Sequence, residues 1–103
     1  MSKTAENKPE NKPENKAMSM AAVQVALNRS PFMAFMQLTV VSMDQDKEQI
    51  VLKMPMRPEF ERGAGSGQWH GGAIASLIDI AGDYALVMKV GGGVPTVNFR
   101  TDY

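Results

Sequence analysis

One segment limits the possible folds of this chain more than any other, the apolar run that follows His70. Isoleucine, leucine, valine and alanine occupy all sides of a helix drawn through residues 72–89, and Gly91-Gly92-Gly93 ends the run. A helix that is apolar all round is buried rather than lying on a surface. The pattern therefore predicts a buried helix from Gly72 to Lys89, which other elements must cover.

The exceptions to this apolar pattern form a single polar stripe. Gly72, Ser76, Asp79 and Asp83 follow one another at spacings of four, three and four residues, so they share one narrow face of the helix. An unpaired carboxylate in apolar surroundings is costly, and Asp79 therefore needs a partner, a water or a substrate. Two interpretations stay open at this point: Asp79 is functional, or both acids face solvent.

The start of the same helix offers a second chemical group. Backbone N–H groups in a first helical turn lack intrahelical acceptors and carry partial positive charge. Gly71 and Gly72 have no Cβ, so a ligand oxygen can approach them closely, as in an oxyanion hole. The alternative is that the glycines only permit a tight turn into the helix.

The separation of these groups has a consequence for assembly. Gly71 and Asp79 are eight residues apart, which is roughly 12 Å along a helix. One substrate carbonyl cannot contact both on the same helix. If both act on one group, they come from two chains, and two antiparallel helices about a two-fold axis place each Gly71 near the other Asp79.

The N-terminal part differs from the rest in composition. The unit Glu-Asn-Lys-Pro repeats from Glu6 to Lys16 without an apolar residue, which is typical of a disordered segment. We therefore divide the chain into a disordered tail, residues 1–18, and one domain, residues 19–103.

Local signals in that domain predict two short helices, a β-hairpin and a final strand. Ser30-Pro31 is typical of a helix start, and β-branched runs on either side of Asp44-Gln45-Asp46-Lys47 indicate the hairpin. The fold class is therefore α+β. The predicted ranges are 21–28 and 31–36 for the helices, 38–41 and 50–52 for the hairpin strands, and a last strand from Val94 or Thr96.

Composition excludes several classes of function. The 11 basic and 11 acidic residues balance, so nothing indicates a nucleic-acid partner. The chain has no cysteine and one histidine, which argues against disulfides and metal sites. Two acids in the apolar run argue against a membrane span, and the first residues lack a signal peptide. We expect a soluble cytoplasmic protein without cofactor or metal.

The stretch from Trp69 to Asp79, with His70-Gly71-Gly72 at the helix start, resembles the signature of the PaaI-like hotdog-fold acyl-CoA thioesterases. The resemblance covers Arg57 to Tyr103. It implies a hotdog fold, in which an antiparallel β-sheet wraps a long central helix. This chain supplies fewer strands than a hotdog domain contains, so we expect a fragment that is truncated after the strand following the helix.

The resemblance implies a role for each matching position. Gly71 N–H would polarise the thioester carbonyl, and Asp79 of the partner subunit would act as general base or nucleophile. Thr96 would assist the attacking water, whereas His70 would order the turn more than transfer a proton. The implied partners are an acyl- or aryl-acyl-CoA substrate and a second copy, in a homodimer or a dimer of dimers. Further residues expected at the substrate are Trp69, Gly72 and Ser76.

The chain departs from the family pattern at Ala64, where several relatives have an asparagine six residues before the histidine. Alanine cannot donate a hydrogen bond, so this part of the site is missing or rebuilt, and Ser66 or Gln68 are the candidates to replace it.

Other functions fit less well. A hotdog module that binds acyl-CoA without cleaving it is the main alternative, and Asp79 argues against it. A dehydratase would need His70 to face an acid across the dimer. The spacing of Gly63, Gly65 and Gly67 is not that of a nucleotide-binding loop, and Ser76 lacks the surroundings of a hydrolase serine.

Overall fold

The order of elements is helix, helix, hairpin, helix in the computed structural model, which describes residues 17–103. This confirms the α+β class, with one long helix and a two-stranded antiparallel sheet. The predicted tail lies outside the described residues except for Ala17 and Met18. The bounds are α1 Met20–Arg29, α2 Pro31–Met36, β1 Thr39–Asp44, β2 Gln49–Lys53 and α3 Gly71–Val90, with a 3-10 turn at Pro58–Phe60.

Each of the two short helices begins after a serine whose hydroxyl accepts a first-turn N–H. Ser19 Oγ accepts from Ala22 at 3.1 Å, and Ser30 Oγ accepts from Met33 at 3.4 Å. Pro31 follows Ser30 at the first helical position, where its missing N–H costs nothing. Both predicted helices are confirmed, and capping by local side chains explains their starts.

The β-hairpin is also confirmed, and α1 covers the outer edge of β1. Val40 pairs with Leu52, and an irregularity follows between Val40 and Ser42. The side chain of Gln24 then bonds this edge as a strand would: its Nε2 donates to Leu38 O and its Oε1 accepts from Val40 N–H, both at 2.9 Å. An unpaired strand edge invites association, and Gln24 blocks this part of β1.

The hydrophobic core lies between α1, the hairpin and one side of α3. Leu27 and Met88 have no exposed surface, and α3 contributes Ile80 beside them. At the N-terminal end of the described chain, Met18 N–H donates to Met88 O at 2.8 Å. The buried cluster is Val23, Leu27, Met36, Leu38, Val40, Phe60, Ile80 and Met88.

The long helix α3 is present, but the prediction that it is buried all round is wrong for this chain. Ile78, Leu86 and Val90 are 44%, 52% and 48% exposed. The hairpin and α1 cover only one side of α3, so the opposite side keeps its apolar residues at the surface. No helix within residues 17–103 is long and apolar enough to cross a membrane.

The predicted last strand is wrong for the residues described. Gly91 ends α3 in a left-handed conformation (φ 76°), and its N–H donates to Val87 O at 2.7 Å. The chain then continues without strand hydrogen bonding to Tyr103. A strand needs a bonded neighbour, and no neighbouring strand flanks residues 94–103 in the part of the chain that is described.

Candidate active site

The turn that leads into α3 is fixed against the 3-10 turn before it. His70 N–H donates to Phe60 O at 2.7 Å, and Glu61 and Trp69 form an antiparallel bridge. The rings of Phe60 and Trp69 stack with their centroids 5.9 Å apart. These contacts hold the start of α3 in place although a glycine-rich loop precedes it.

His70 satisfies most of the N–H groups in the first turn of α3. Its Nδ1 accepts from Gly72 N–H at 2.9 Å, and its carbonyl accepts from Ala73 at 3.1 Å and Ile74 at 3.3 Å. Among residues 17–103, Gly71 N–H has no acceptor. The one free donor at this helix start therefore belongs to the residue expected to polarise a carbonyl, while Gly72 N–H is occupied.

The loop before this turn is closed by its own carboxylate. Glu61 accepts from Gly65 N–H at 3.0 Å and from Gly67 N–H at 2.7 Å. Both glycines have positive φ, at 74° and 69°, which glycine adopts without strain. Ser66 and Gln68, the candidates to replace the asparagine expected at Ala64, bond each other inside the loop (Gln68 N–H to Ser66 Oγ, 3.2 Å).

A second polar group lies further along α3, where Thr96 meets both acids. Thr96 Oγ1 donates to Asp79 Oδ1 at 2.8 Å, and Asp83 lies at 3.3 and 3.4 Å from the same hydroxyl. One hydroxyl has one proton, so the shorter bond to Asp79 is the main one. Thr96 and Asp79, both expected at the site, are thus brought together within one chain.

The two acids also influence each other. Burial raises the pKa of the Asp83 carboxyl above its usual 3.8, the neighbouring charge of Asp79 raises it further, and the hydrogen bond from Thr96 opposes both effects. Asp79 lines a groove of about 590 Å³ between α3 and residues 94–99. A carboxylate and a hydroxyl therefore face a space that is open to a ligand.

Ser76 lies nearer the helix start, where it lines a different cavity. Its hydroxyl donates to Gly72 O at 2.9 Å. The cavity has a volume of about 340 Å³ and is bounded by His70, Gly72 and Ser76 on one side and by Phe32, Phe35, other apolar side chains and Glu59 on the other. Sequence reasoning missed these phenylalanines, because α2 is remote from His70 along the chain.

Tyr103 is a further residue that the sequence did not indicate. Its hydroxyl donates to Gly71 O at 2.5 Å, and its ring lies 3.6 Å from the position of a Cβ on Gly71. The two residues are 32 positions apart in the sequence, so no local sequence pattern predicts their contact. Tyr103 therefore covers one side of the residue whose N–H is free.

The structure does not bring Gly71 and Asp79 together. Both lie on α3, eight residues and roughly 12 Å apart along its axis. The neighbours of Gly71, His70 and Gly72, line the cavity at the helix start, whereas Asp79 lines the groove further along. Across the described range 17–103, no three side chains form a group that could hold a metal ion.

Comparison with known proteins gives one informative similarity. A crystal structure of a protein from the thioesterase superfamily superimposes with a TM-score of 0.67 at 38% sequence identity. The match covers 75% of this chain, and the chain spans 57% of the length of that protein. No protein-family profile and no curated protein matches the chain. In both sequence and fold, the chain is thus similar to a thioesterase-superfamily protein.

Proposed function

We propose that the protein is an acyl-CoA thioesterase of the PaaI-like hotdog type, whose active site is shared between two copies of the chain. The observation that carries the proposal is the free N–H of Gly71, the one first-turn donor of α3 that His70 leaves unoccupied in the described chain. The similarity to a thioesterase-superfamily protein supports a thioesterase-like function in general.

The Gly71 N–H suits the first requirement of thioester cleavage. Attack on the carbonyl carbon moves negative charge onto the oxygen, and a preorganised N–H donor stabilises that charge. The partial positive charge at the start of α3 acts in the same direction. Tyr103 bonds the carbonyl of Gly71 and leaves the N–H unoccupied.

The Asp79–Thr96 pair suits the second requirement, an activated nucleophile. Thr96 holds Asp79 Oδ1 at 2.8 Å, which leaves Oδ2 to accept a proton from water. As general base, Asp79 takes this proton while the water attacks the carbonyl carbon. The C–S bond then breaks, and the CoA thiolate leaves with the proton from Asp79. As nucleophile, Asp79 attacks the carbon itself, the C–S bond breaks with release of the CoA thiolate, and water then hydrolyses the mixed anhydride to the free acid and Asp79.

The separation of Gly71 from Asp79 along α3 is the reason why the proposed site is shared between two copies. If two α3 helices pack antiparallel, a thioester whose carbonyl oxygen accepts from Gly71 N–H of one copy places its carbonyl carbon near Asp79 of the second copy. The midpoint between residues 71 and 79 is Ala75, whose small side chain permits close approach. The exposed Ile78 and Leu86 flank Asp79 and gain buried area from such packing.

The test compares two isosteric changes one helical turn apart. Asp79→Asn keeps an oxygen for Thr96 but cannot take a proton, so we expect loss of acyl-CoA hydrolysis with substrate binding and dimerisation retained. Asp83→Asn is the matched control, since Asp83 is further from Thr96, and it should keep most activity. Steady-state thiol release is the measurement. Full turnover by Asp79→Asn, or none by wild type on a broad panel that it nevertheless binds, contradicts the proposal.

Sharing of the site is tested by mixing two inactive variants. In a heterodimer of Gly71→Pro, which removes the N–H, and Asp79→Asn, one site has both defects and the other has neither. Statistical mixing should therefore restore about a quarter of wild-type activity. No recovery in a verified heterodimer, or full activity of a monomer, contradicts the two-chain arrangement.

A further inference from the structure

We infer that Tyr103 is a positioning residue of the proposed site, which fixes the Gly71 peptide so that the free Gly71 N–H keeps one direction. The inference rests on the proposed function and adds a group that acts through Gly71 without touching the substrate. The contact that carries it is the hydrogen bond from the Tyr103 hydroxyl to Gly71 O, at 2.5 Å.

A glycine in the first turn of a helix is a loosely held donor. Glycine lacks a Cβ and rotates more freely about φ and ψ than other residues, and the ends of helices fray. An N–H that stabilises a developing oxyanion must be preorganised, and a displacement of about 1 Å can lower the rate by about 10²-fold. The proposed role of Gly71 therefore requires that this residue is held in place.

The hydrogen bonds within the turn meet this requirement only in part. His70 O accepts from Ala73 N–H at 3.1 Å, and His70 Nδ1 accepts from Gly72 N–H at 2.9 Å. Both partners lie within three residues of His70, so these bonds shape the turn but move with it. Phe60 O ties His70 itself to the 3-10 turn. The residue that still needs a contact from outside the helix is Gly71.

Tyr103 supplies that outside contact. The three atoms nearest to the position of a Cβ on Gly71, at 3.6 to 4.0 Å, all belong to the Tyr103 side chain. The ring thus fills the space that a side chain at residue 71 would occupy, while the hydroxyl bonds Gly71 O. A tyrosine has only two side-chain torsions, so it loses little entropy when it is held. Tyr103 is 79% exposed, so burial of the ring does not explain its position, whereas the contact with Gly71 does.

The segment that carries Tyr103 also bonds the second proposed group. Thr96 Oγ1 donates to Asp79 Oδ1 at 2.8 Å, and the Tyr103 hydroxyl donates to Gly71 O. Residues 96–103 therefore run opposite to α3, with seven residues between the two hydroxyls and eight between the two groups that they bond. One segment thus holds both of the groups that we propose for catalysis.

The Tyr103 hydroxyl orients Gly71 and is not itself a donor to the substrate. A tyrosine hydroxyl has one proton, and Gly71 O accepts it. Any effect of this hydroxyl on turnover must therefore pass through Gly71. It follows that the effect of Tyr103 on kcat disappears when the Gly71 N–H is absent.

A double-mutant cycle tests this dependence. Tyr103→Phe removes the hydroxyl and keeps the ring. It is measured alone and together with Gly71→Pro, which removes the N–H of residue 71 and keeps the carbonyl. Tyr84→Phe is the matched control, because it removes the hydroxyl of the other tyrosine, which lies 13 residues further along α3. Each variant is assayed by urea denaturation and by thiol release from the acyl-CoA that wild type cleaves fastest.

In the wild-type background, Tyr103→Phe should lower kcat by about 10- to 100-fold with little change in KM, because a displaced donor weakens the transition state more than the bound substrate. In the Gly71→Pro background, the same change should leave kcat unaltered. The urea midpoint should fall equally in both backgrounds, because the bond to the carbonyl is lost in both. Tyr84→Phe should keep the wild-type kcat.

A measurement without substrate tests the same contact by nuclear magnetic resonance. The full chain is isotopically labelled only at the nitrogens of its 9 glycines, and the Gly71 signal is identified by its loss in Gly71→Ala. We expect a rigid Gly71 amide in wild type, with an order parameter of about 0.85. This value should fall toward about 0.6 in Tyr103→Phe and stay unchanged in Tyr84→Phe.

The outcomes separate this inference from the proposed function. An unchanged kcat in Tyr103→Phe, an equal loss of kcat in both backgrounds, or a mobile Gly71 amide in wild type overturns the inference and leaves the thioesterase in place. If Tyr103→Phe does not fold, the order parameter of wild type decides. If wild type cleaves no ester, the proposed function fails, and the order parameters alone decide whether Tyr103 fixes Gly71.

Discussion

Replacing Gly71 with proline isolates the group on which the proposed chemistry depends. Proline at the first position of a helix removes one N–H and little else, because that N–H has no intrahelical acceptor and the fixed φ suits the helix. Gly71 N–H has no acceptor among residues 17–103. His70, with φ −69° and ψ 137°, already has the extended conformation required before proline.

The structure predicts opposite effects of this change on stability and activity. No hydrogen bond is lost, and a Cβ at residue 71 meets Tyr103 at an ordinary 3.6 Å. Reduced freedom of the unfolded chain should then raise the free energy of unfolding by about 0.4–1 kcal/mol. Loss of one donor to the developing oxyanion should lower kcat by about 10²–10³-fold, or about 2.7–4 kcal/mol in activation free energy.

The matched control is Gly71→Ala, which adds a Cβ in the same place but keeps the N–H. Urea denaturation and steady-state thiol release are measured for both variants. We expect the alanine variant to retain most of its activity and the proline variant to be folded and nearly inactive. A folded proline variant with wild-type kcat refutes the role of Gly71, whereas an unfolded one refutes our account of the helix start.

The remaining predictions concern the cap, the edge of the sheet and the second acid. His70→Ala removes the acceptor for Gly72 N–H and should cost about 0.5–2 kcal/mol in unfolding free energy. His70→Asn keeps a good helix cap and should therefore keep both stability and turnover. A stable but inactive asparagine variant would show that the imidazole transfers a proton. Gln24→Ala removes the hydrogen bonds to Val40 in β1 and to Leu38 just before it. This change should cost about 1–3 kcal/mol in unfolding free energy and promote concentration-dependent association in sedimentation. An equally stable, monodisperse variant contradicts this prediction. The pKa of Asp83 is raised above 3.8, so the folded state binds more protons than the unfolded state, and the free energy of unfolding falls as pH rises from 3.8 through the folded pKa. Asp83→Asn should therefore gain stability relative to wild type across that pH window and not below it. Urea denaturation at pH 3 and pH 7 measures this difference, and a difference that is the same at both pH values contradicts the prediction.

Elements with local causes could be predicted from the sequence. The starts of α1 and α2 depend on Ser19 and Ser30, each bonded to an N–H three residues ahead. The hairpin depends on two β-branched runs and a polar turn, in which Asp44 Oδ1 accepts from Lys47 N–H at 3.0 Å. In each case the deciding contact lies within a few residues, so the pattern contains it.

Elements that need distant partners could not be predicted in this way. The β-branched character of Val94 and Thr96 indicates a strand, yet a strand forms only beside another, and local sequence does not say whether one is present. The apolar circumference of α3 predicts burial without saying what covers each side. Phe35 contacts Phe60, which stacks on Trp69, and no periodicity of the sequence links these three rings.

The polar stripe of α3 shows best why the site differs from the rest of the helix. Gly72 N–H is bonded by His70, Ser76 is bonded to the carbonyl of Gly72, and Thr96 lies between Asp79 and Asp83. Polar groups on an apolar helix must be paired to be tolerated, and these pairs explain most of the stripe without any ligand. Within residues 17–103, Gly71 N–H and Asp79 Oδ2 have no hydrogen-bond partner, and they are one donor and one acceptor about two turns apart. A single helix cannot direct both at one atom, whereas an antiparallel pair of α3 helices can, and this is why the proposed site takes one group from each copy of the chain.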